Sequence, residues 1–175
     1  MKSIDDYNFR NRKALLRVDF NVPLSNELIV TDETRIIAAI PTIKKIINEG
    51  GSVILMSHLG RPEKGPENKY SLKHIIPNLQ EKLGKEVKFA GDCIGPLALQ
   101  LSKTLGTGEI ILLENVRFYQ EETQGDQDFA IELAKLGDIY VNDAFGTAHR
   151  AHASTTIVAQ FFDDKCAGYI MGNEL

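Results

Sequence analysis

Four apolar runs in the chain each break off into a polar loop, and each loop carries an arginine or is followed by one. With their loops they are Leu15–Pro23 (LLRVDFNVP), Val53–Pro62 (VILMSHLGRP), Ile110–Phe118 (IILLENVRF) and Ile139–Ser154 (IYVNDAFGTAHRAHAS). Arg61, Arg117 and Arg150 lie in the second, third and fourth loops. The first run ends in Asp19, Phe20 and Asn21, and Arg35 follows at the start of a helical stretch. A guanidinium fork grips carboxylate or phosphate oxygens two at a time. If the runs are parallel strands of one sheet, all four loops leave by the same edge, where open α/β sheets take their ligands. The pattern predicts a site for a small, multiply charged anion.

Asp19 and Asn21 alternate with Phe20, so an extended backbone points them to one side. A carboxylate in an anion site repels the ligand's charge, so Asp19 is expected to accept from ligand hydroxyls or to orient an arginine. Asp143 is a candidate for that second task at Arg150. Arg17 falls one residue out of this register and is expected to be structural. Arg35, in the first turn of its helix, opposes the macrodipole at a cost of about 0.3–1 kcal/mol. It is either a solvated surface residue or, with the helix N-terminus, part of a phosphate cradle. His58 is either a satisfied structural donor or an anion ligand, the latter favoured by protonation. His149 and His152 flank Arg150 and form a second basic patch. With no cysteine near them and no acidic ligand at a fixed offset, zinc is not expected, and no metal site is assigned.

Two loops fall short of nucleotide signatures. Gly60-Arg61-Pro62-Glu63-Lys64-Gly65 begins like a phosphate loop, but Pro66 stands where GxxxxGK[ST] needs Lys. Leu105-Gly106-Thr107-Gly108 precedes a strand and lacks the third glycine. No cofactor-binding residue is assigned in this chain. Ser57 beside His58 is adjacency in sequence, which does not make a nucleophile–base pair.

The elements that must hold these residues follow from periodicity. Near-continuous apolar runs alternating with helical stripes are the βαβ signature of a buried parallel sheet. Strands are expected at about Ala14–Phe20, Val53–Ser57, Val87–Phe89, Ile110–Leu113, Ile139–Asn142 and Lys165–Met171. A helix capped by Asp32 carries Ile36, Ile40, Ile43 and Ile47 and stops at Gly50-Gly51, with a kink or break at Pro41. A second starts at Ser71, with Leu72, Ile75, Ile76, Leu79 and Leu83 inward and a bend at Pro77. A third opens at Pro96, and a fourth, with Phe129, Ala130, Leu133 and Leu136, ends at Gly137. After the last strand the sequence stops where another helix is due, so a domain cut from something longer is expected.

At 175 residues the chain has the size of one domain with a real core. Its net charge of −4 gives no general basic footprint for nucleic acid or an anionic membrane. Four of the seven arginines nevertheless cluster at the loops, and a local basic pocket can focus potential on an anion. Cys93 and Cys166 have no CxxC or zinc spacing and read as reduced thiols. No signal peptide and no membrane-length apolar run are present, so a cytoplasmic protein is expected.

RVDFNVP (Arg17–Pro23), TRI…PTI (Thr34–Ile43), SHLGRP (Ser57–Pro62), DCIGP (Asp92–Pro96), LLENVRF (Leu112–Phe118), VNDAFGTAHRAHAST (Val141–Thr155) and the closing AGYIMGNEL together resemble the N-terminal domain of phosphoglycerate kinase, in order, across residues 1–175. The turn Ser25–Val30 departs from a more Gly-rich family pattern, and Pro77 is unusual for the second helix. The resemblance implies a Rossmann-like three-layer α/β domain with six parallel strands, and reversible phosphoryl transfer between 1,3-bisphosphoglycerate and ADP, giving 3-phosphoglycerate and ATP in glycolysis. It implies that this domain holds the phosphoglycerate. Mg-ATP or Mg-ADP would be bound mainly by a second, C-terminal domain, so the chain alone would bind 3-phosphoglycerate without turnover. Carried onto matching positions, the substrate site is Asp19, Phe20, Asn21, Arg35, His58, Leu59, Gly60, Arg61, Arg117 and Arg150, with His149 and His152 nearby and Arg35 as the catalytic group. A monomer with no nucleic-acid or membrane partner is expected. The residues alone leave open an anion-binding module or interaction protein built on the same fold.

Overall fold

The computed structural model describes residues 2–144 and 151–174. Among these, seven strands form one parallel sheet in the order β1-β7-β6-β2-β3-β5-β4. They are β1 (Lys2–Ser3), β2 (Lys13–Arg17), β3 (Ser52–Met56), β4 (Lys88–Phe89), β5 (Ile110–Leu112), β6 (Ile139–Asn142) and β7 (Lys165–Ala167). The expected count of six misses β1, whose two residues are both exposed and carry no apolar pattern. It is recognisable only by its pairing with β7, Lys2 beside Cys166 and Ser3 beside Ala167.

Alternate residues of the central strands feed two apolar layers. On one face Ala14, Leu16, Val53, Leu55, Ile110 and Leu112 meet Ile36, Ala39, Ile43 and Ile46 of α1 (Thr34–Asn48) and Leu79 and Leu83 of α2 (Ile76–Leu83). On the other, Leu15, Ile54, Met56, Ile111 and Tyr140 meet Ala98 of α3 (Pro96–Lys103) and Phe129, Ala130 and Leu133 of α5 (Gln127–Ala134). The short α4 (Glu121–Gln124) precedes α5. Every residue of β3 and of β6 is buried, as two covered faces require.

Four local expectations are corrected. α1 runs unbroken through Pro41, which sits on its exposed side, so the break that is one of the two expected outcomes does not occur. Ser71 caps a 3₁₀ turn over Leu72–Ile75, and α2 proper starts at Ile76, so Pro77 occupies a first-turn position, where a missing N–H costs nothing. α5 stops at Ala134, short of Gly137, although Leu136 is still buried. β7 ends at Ala167, and Tyr169–Glu174 forms α6, so the reading that the residues run out before another helix does not hold.

Candidate functional site

The carboxyl ends of β6, β2, β3 and β5 lie side by side at one edge of the sheet. Here β2 gives way to the loop carrying Asp19 to Asn21, β3 to Ser57–Gly60, β5 to Leu113–Phe118, and β6 to Asp143.

Hydrogen bonds between these loops fix their relation. Asp19 turns its own loop by accepting from Asn21 N at 3.0 Å, and Asn21 Oδ1 accepts from Gly60 N at 2.8 Å. Ser57 Oγ accepts from Phe20 N at 2.9 Å and donates to the His58 carbonyl at 3.0 Å. The buried Asn115 donates to the carbonyls of Leu59 at 2.8 Å and Tyr70 at 2.9 Å, while its Oδ1 accepts from Arg117 N at 3.0 Å. Gly60 has φ +62, and a Cβ there would overlap the Tyr70 ring. Only glycine fits this crossing.

Arg35 is held against the first loop. Its Nε lies 3.6 Å from Asp19 Oδ2 and its Nη1 donates to the Asn21 carbonyl. Half of its side chain is still open to solvent, 53% exposed. Asp32 accepts from Thr34 N at 3.0 Å and Thr34 Oγ1 at 2.7 Å, and so shapes the start of α1. Arg61 stands exposed at the rim and makes no ion pair among the described residues. A cavity of about 380 Å³ opens beside Asn21, Leu59, Gly60, Lys69 and Tyr70.

His58 is buried, and its ring is pushed down to about 2, first by burial and then by the charges of Arg17, Arg117, His152 and Arg35. The ring is therefore neutral at physiological pH, which corrects the expectation that protonation would favour anion binding. It can still donate one N–H. Phe20 lies wholly inside the apolar layer and its N–H is spent on Ser57, so it is an anchor with no side-chain surface for a ligand. Leu59 is likewise buried, with its carbonyl held by Asn115. His152 is buried, close enough to His58 to influence it. His149 and Arg150 lie outside the described residues.

Asp143 Oδ1 accepts from Ile170 N at 2.9 Å and Met171 N at 3.3 Å, capping α6, while Arg150, the arginine it is expected to orient, lies outside the described residues. Ser57, Asn115, Glu122 and Ser154 were not singled out as site residues in the sequence, yet they tie the loops together. The sequence signal for Ser57 and Asn115 is a polar residue just past an apolar run, whereas Glu122 and Ser154 stand in polar stretches that carry no such mark. Among the described residues no group of three or more His, Cys, Asp or Glu could hold a metal ion, and no helix is long and apolar enough to cross a membrane.

A family model described as phosphoglycerate kinase matches residues 4–175. The phosphoglycerate kinase of Chlorobium limicola is 52% identical over 174 residues, covering 99% of this chain and 44% of its own length. A cytosolic phosphoglycerate kinase of Nicotiana tabacum is 52% identical over 173 residues, covering 99% and 43%. The chain thus spans about two-fifths of the length of the curated relatives it matches. Among solved structures, phosphoglycerate kinase from Coxiella burnetii superposes with a TM-score of 0.88 at 39% identity, over 98% of this chain and 42% of that one. The enzyme from Pyrococcus horikoshii OT3 gives 0.89 at 32% identity, over 99% and 44%.

Proposed function

The chain belongs to the phosphoglycerate kinase family, and we propose that it is the part of such an enzyme that holds the phosphoglycerate. The reading rests above all on one observation: Asn21 and Asn115, through Gly60 N–H and the Leu59 carbonyl, lock three loops to one sheet edge, the second and third carrying Arg61 and Arg117 and the first holding Arg35 of α1. The activity proposed for the whole enzyme is reversible phosphoryl transfer between 1,3-bisphosphoglycerate and ADP, giving 3-phosphoglycerate and ATP. Mg-ATP or Mg-ADP is its co-substrate, held mainly by a second domain. A cytoplasmic monomer is the proposed setting.

Phosphoryl transfer asks for positioning and charge stabilisation rather than covalent help from side chains. In this reading Arg61, Arg117 and Arg150 anchor the 3-phosphate of the triose. Asp19 and Asn21 orient its carbon skeleton. Arg35, with Nε and Nη1 occupied by the first loop, offers its remaining N–H groups to the carboxyl or acyl phosphate. His58 contributes a neutral donor, which avoids burying a further charge. Closure against the second domain expels water and brings the co-substrate into line.

The test is calorimetry with 3-phosphoglycerate at fixed ionic strength. Arg117→Ala and Arg150→Ala should each weaken binding by about 1.5–3 kcal/mol, the scale of a charge-assisted hydrogen bond. Variants that bind as the parent does would mean that these arginines face solvent and that the anchor is misassigned.

A further inference from the structure

Behind the ligand edge runs a chain of polar groups that no ligand can reach. Arg17, at the end of β2, is fully buried, as are Ser154 and Glu122. Arg17 Nε donates to Ser154 Oγ at 2.9 Å, and Ser154 Oγ donates in turn to Glu122 Oε2 at 2.6 Å. Glu122 Oε1 accepts from Ser154 N at 2.8 Å. A buried guanidinium and a buried carboxylate are thus joined through one hydroxyl, and each offsets the other's desolvation. Arg17 Nη1 donates to the Val18 carbonyl. Its Nη2 faces His58 Nδ1 at 3.2 Å. Tyr140 braces the same point by donating to the carbonyls of Ser154 at 2.8 Å and Thr155 at 3.2 Å.

A guanidinium can only donate. The contact at 3.2 Å therefore requires a lone pair on Nδ1, and the ring's one proton must sit on Nε2. A proton on Nδ1 would set two N–H groups head to head beside a fixed positive charge. We propose that Arg17, held by Ser154 and Glu122, is a positioning residue that locks His58 as the neutral Nε2–H tautomer, so that the ring presents a single fixed donor at the ligand edge. The charged groups around the ring agree in sense: Arg17 from β2, Arg35 from α1, Arg117 from the loop after β5 and His152 before the π-helical segment Ala153–Ile157 all disfavour a second proton. The inference rests on the phosphoglycerate reading only for what the ring donates to.

Two-bond ¹⁵N–¹H correlation of the imidazole in the uniformly labelled chain reads the tautomer directly and needs no ligand, so its outcome is separate from any failure of the phosphoglycerate reading. The parent chain should show His58 as Nε2–H alone, with no titration from pH 5 to 8. An Nδ1–H or cationic ring in that range overturns the proposal, with or without a variant. Replacing Arg17 alone would strand a buried carboxylate, so the variant is Arg17→Met with Glu122→Gln, which keeps the interior balanced. Its His58 should show both tautomers or begin to titrate near neutrality, and 3-phosphoglycerate should bind about tenfold more weakly, the worth of one mispresented donor. A folded double variant whose His58 stays wholly Nε2–H and does not titrate would show that Arg17 does not set the tautomer.

Discussion

Arg35 is the residue at which cost to the fold and use to the site part company. It sits in the first turn of α1, where a cation opposes the helix dipole, and half its side chain is in solvent. Its bond to the Asn21 carbonyl and its approach to Asp19 spend part of the fork on the protein itself. An exposed ion pair of that kind is worth little to stability. Arg35→Ala, in a full-length enzyme carrying this domain, should therefore leave the unfolding free energy from urea melts within about 0.5 kcal/mol of the parent. Turnover should fall by about 10²–10³, as when a group that stabilises transition-state charge is lost. Unchanged kcat at equal stability would remove Arg35 from the chemistry. Asn21 and Arg61 could be picked out in the sequence as polar residues just past apolar runs, and Arg35 as a cation in the first turn of a helix, where the dipole gives it no structural reason to be. The sequence did not reveal Ser57 or Asn115 as site residues, since a small polar residue there is equally suited to a turn. Their partners, Phe20 and the Leu59 and Tyr70 carbonyls, are distant in sequence and meet only through strand order.

At the scale of elements, the strands around the site were legible because residues buried on both faces write long apolar runs. The ends of elements were not. Past β7 the run Ala167–Met171 reads as continued strand, but Gly168 lets the chain turn against Asp143, where any Cβ would overlap the carboxyl group. That carboxyl then caps α6, a tertiary bond that no local pattern reports. The arrangement has a pH signature. Burial pushes Asp143 up to about 6, against smaller opposing pulls from Thr42 and the N–H groups of Met171 and Ile170. A folded-state value above the unfolded one means that the native chain binds the extra proton between about pH 4 and 6. The group's contribution to stability therefore falls as pH rises through that window. Asp143→Asn keeps an acceptor for α6 and removes the ionisation. Relative to the parent, its unfolding free energy should gain about 2–3 kcal/mol between pH 4 and 7.5. Denaturant melts at the two pH values measure this directly. Parallel pH profiles for parent and variant would place Asp143 in a solvated or ion-paired setting.

At the scale of the whole molecule, the described residues form two apolar layers on one sheet, with the ligand edge braced from behind by the Arg17–Ser154–Glu122 chain. A core continuous on both faces supports a single cooperative unfolding transition of the chain by itself, and calorimetry should show one. A flat melt would mean that the rest of an enzyme is needed to fold it. Because 3-phosphoglycerate binds only the folded chain in this reading, millimolar ligand should raise that transition temperature, and the rise should shrink with added salt as the arginines are screened. Mg-ATP without the triose should move it far less, since the sequence shows no phosphate loop or dinucleotide turn. The same asymmetry governs activity. Phosphoryl transfer depends on holding both reactants in line in a site closed to water, and in the proposed reading this chain offers the groups for one of them. It should bind 3-phosphoglycerate and produce no ADP from Mg-ATP. Supplying a nucleotide-binding domain of the family as a separate fragment should restore part of the activity. Robust turnover by the 175-residue chain alone would show that the nucleotide is held by residues assigned here only to the triose, and the division of labour between two domains would have to be abandoned.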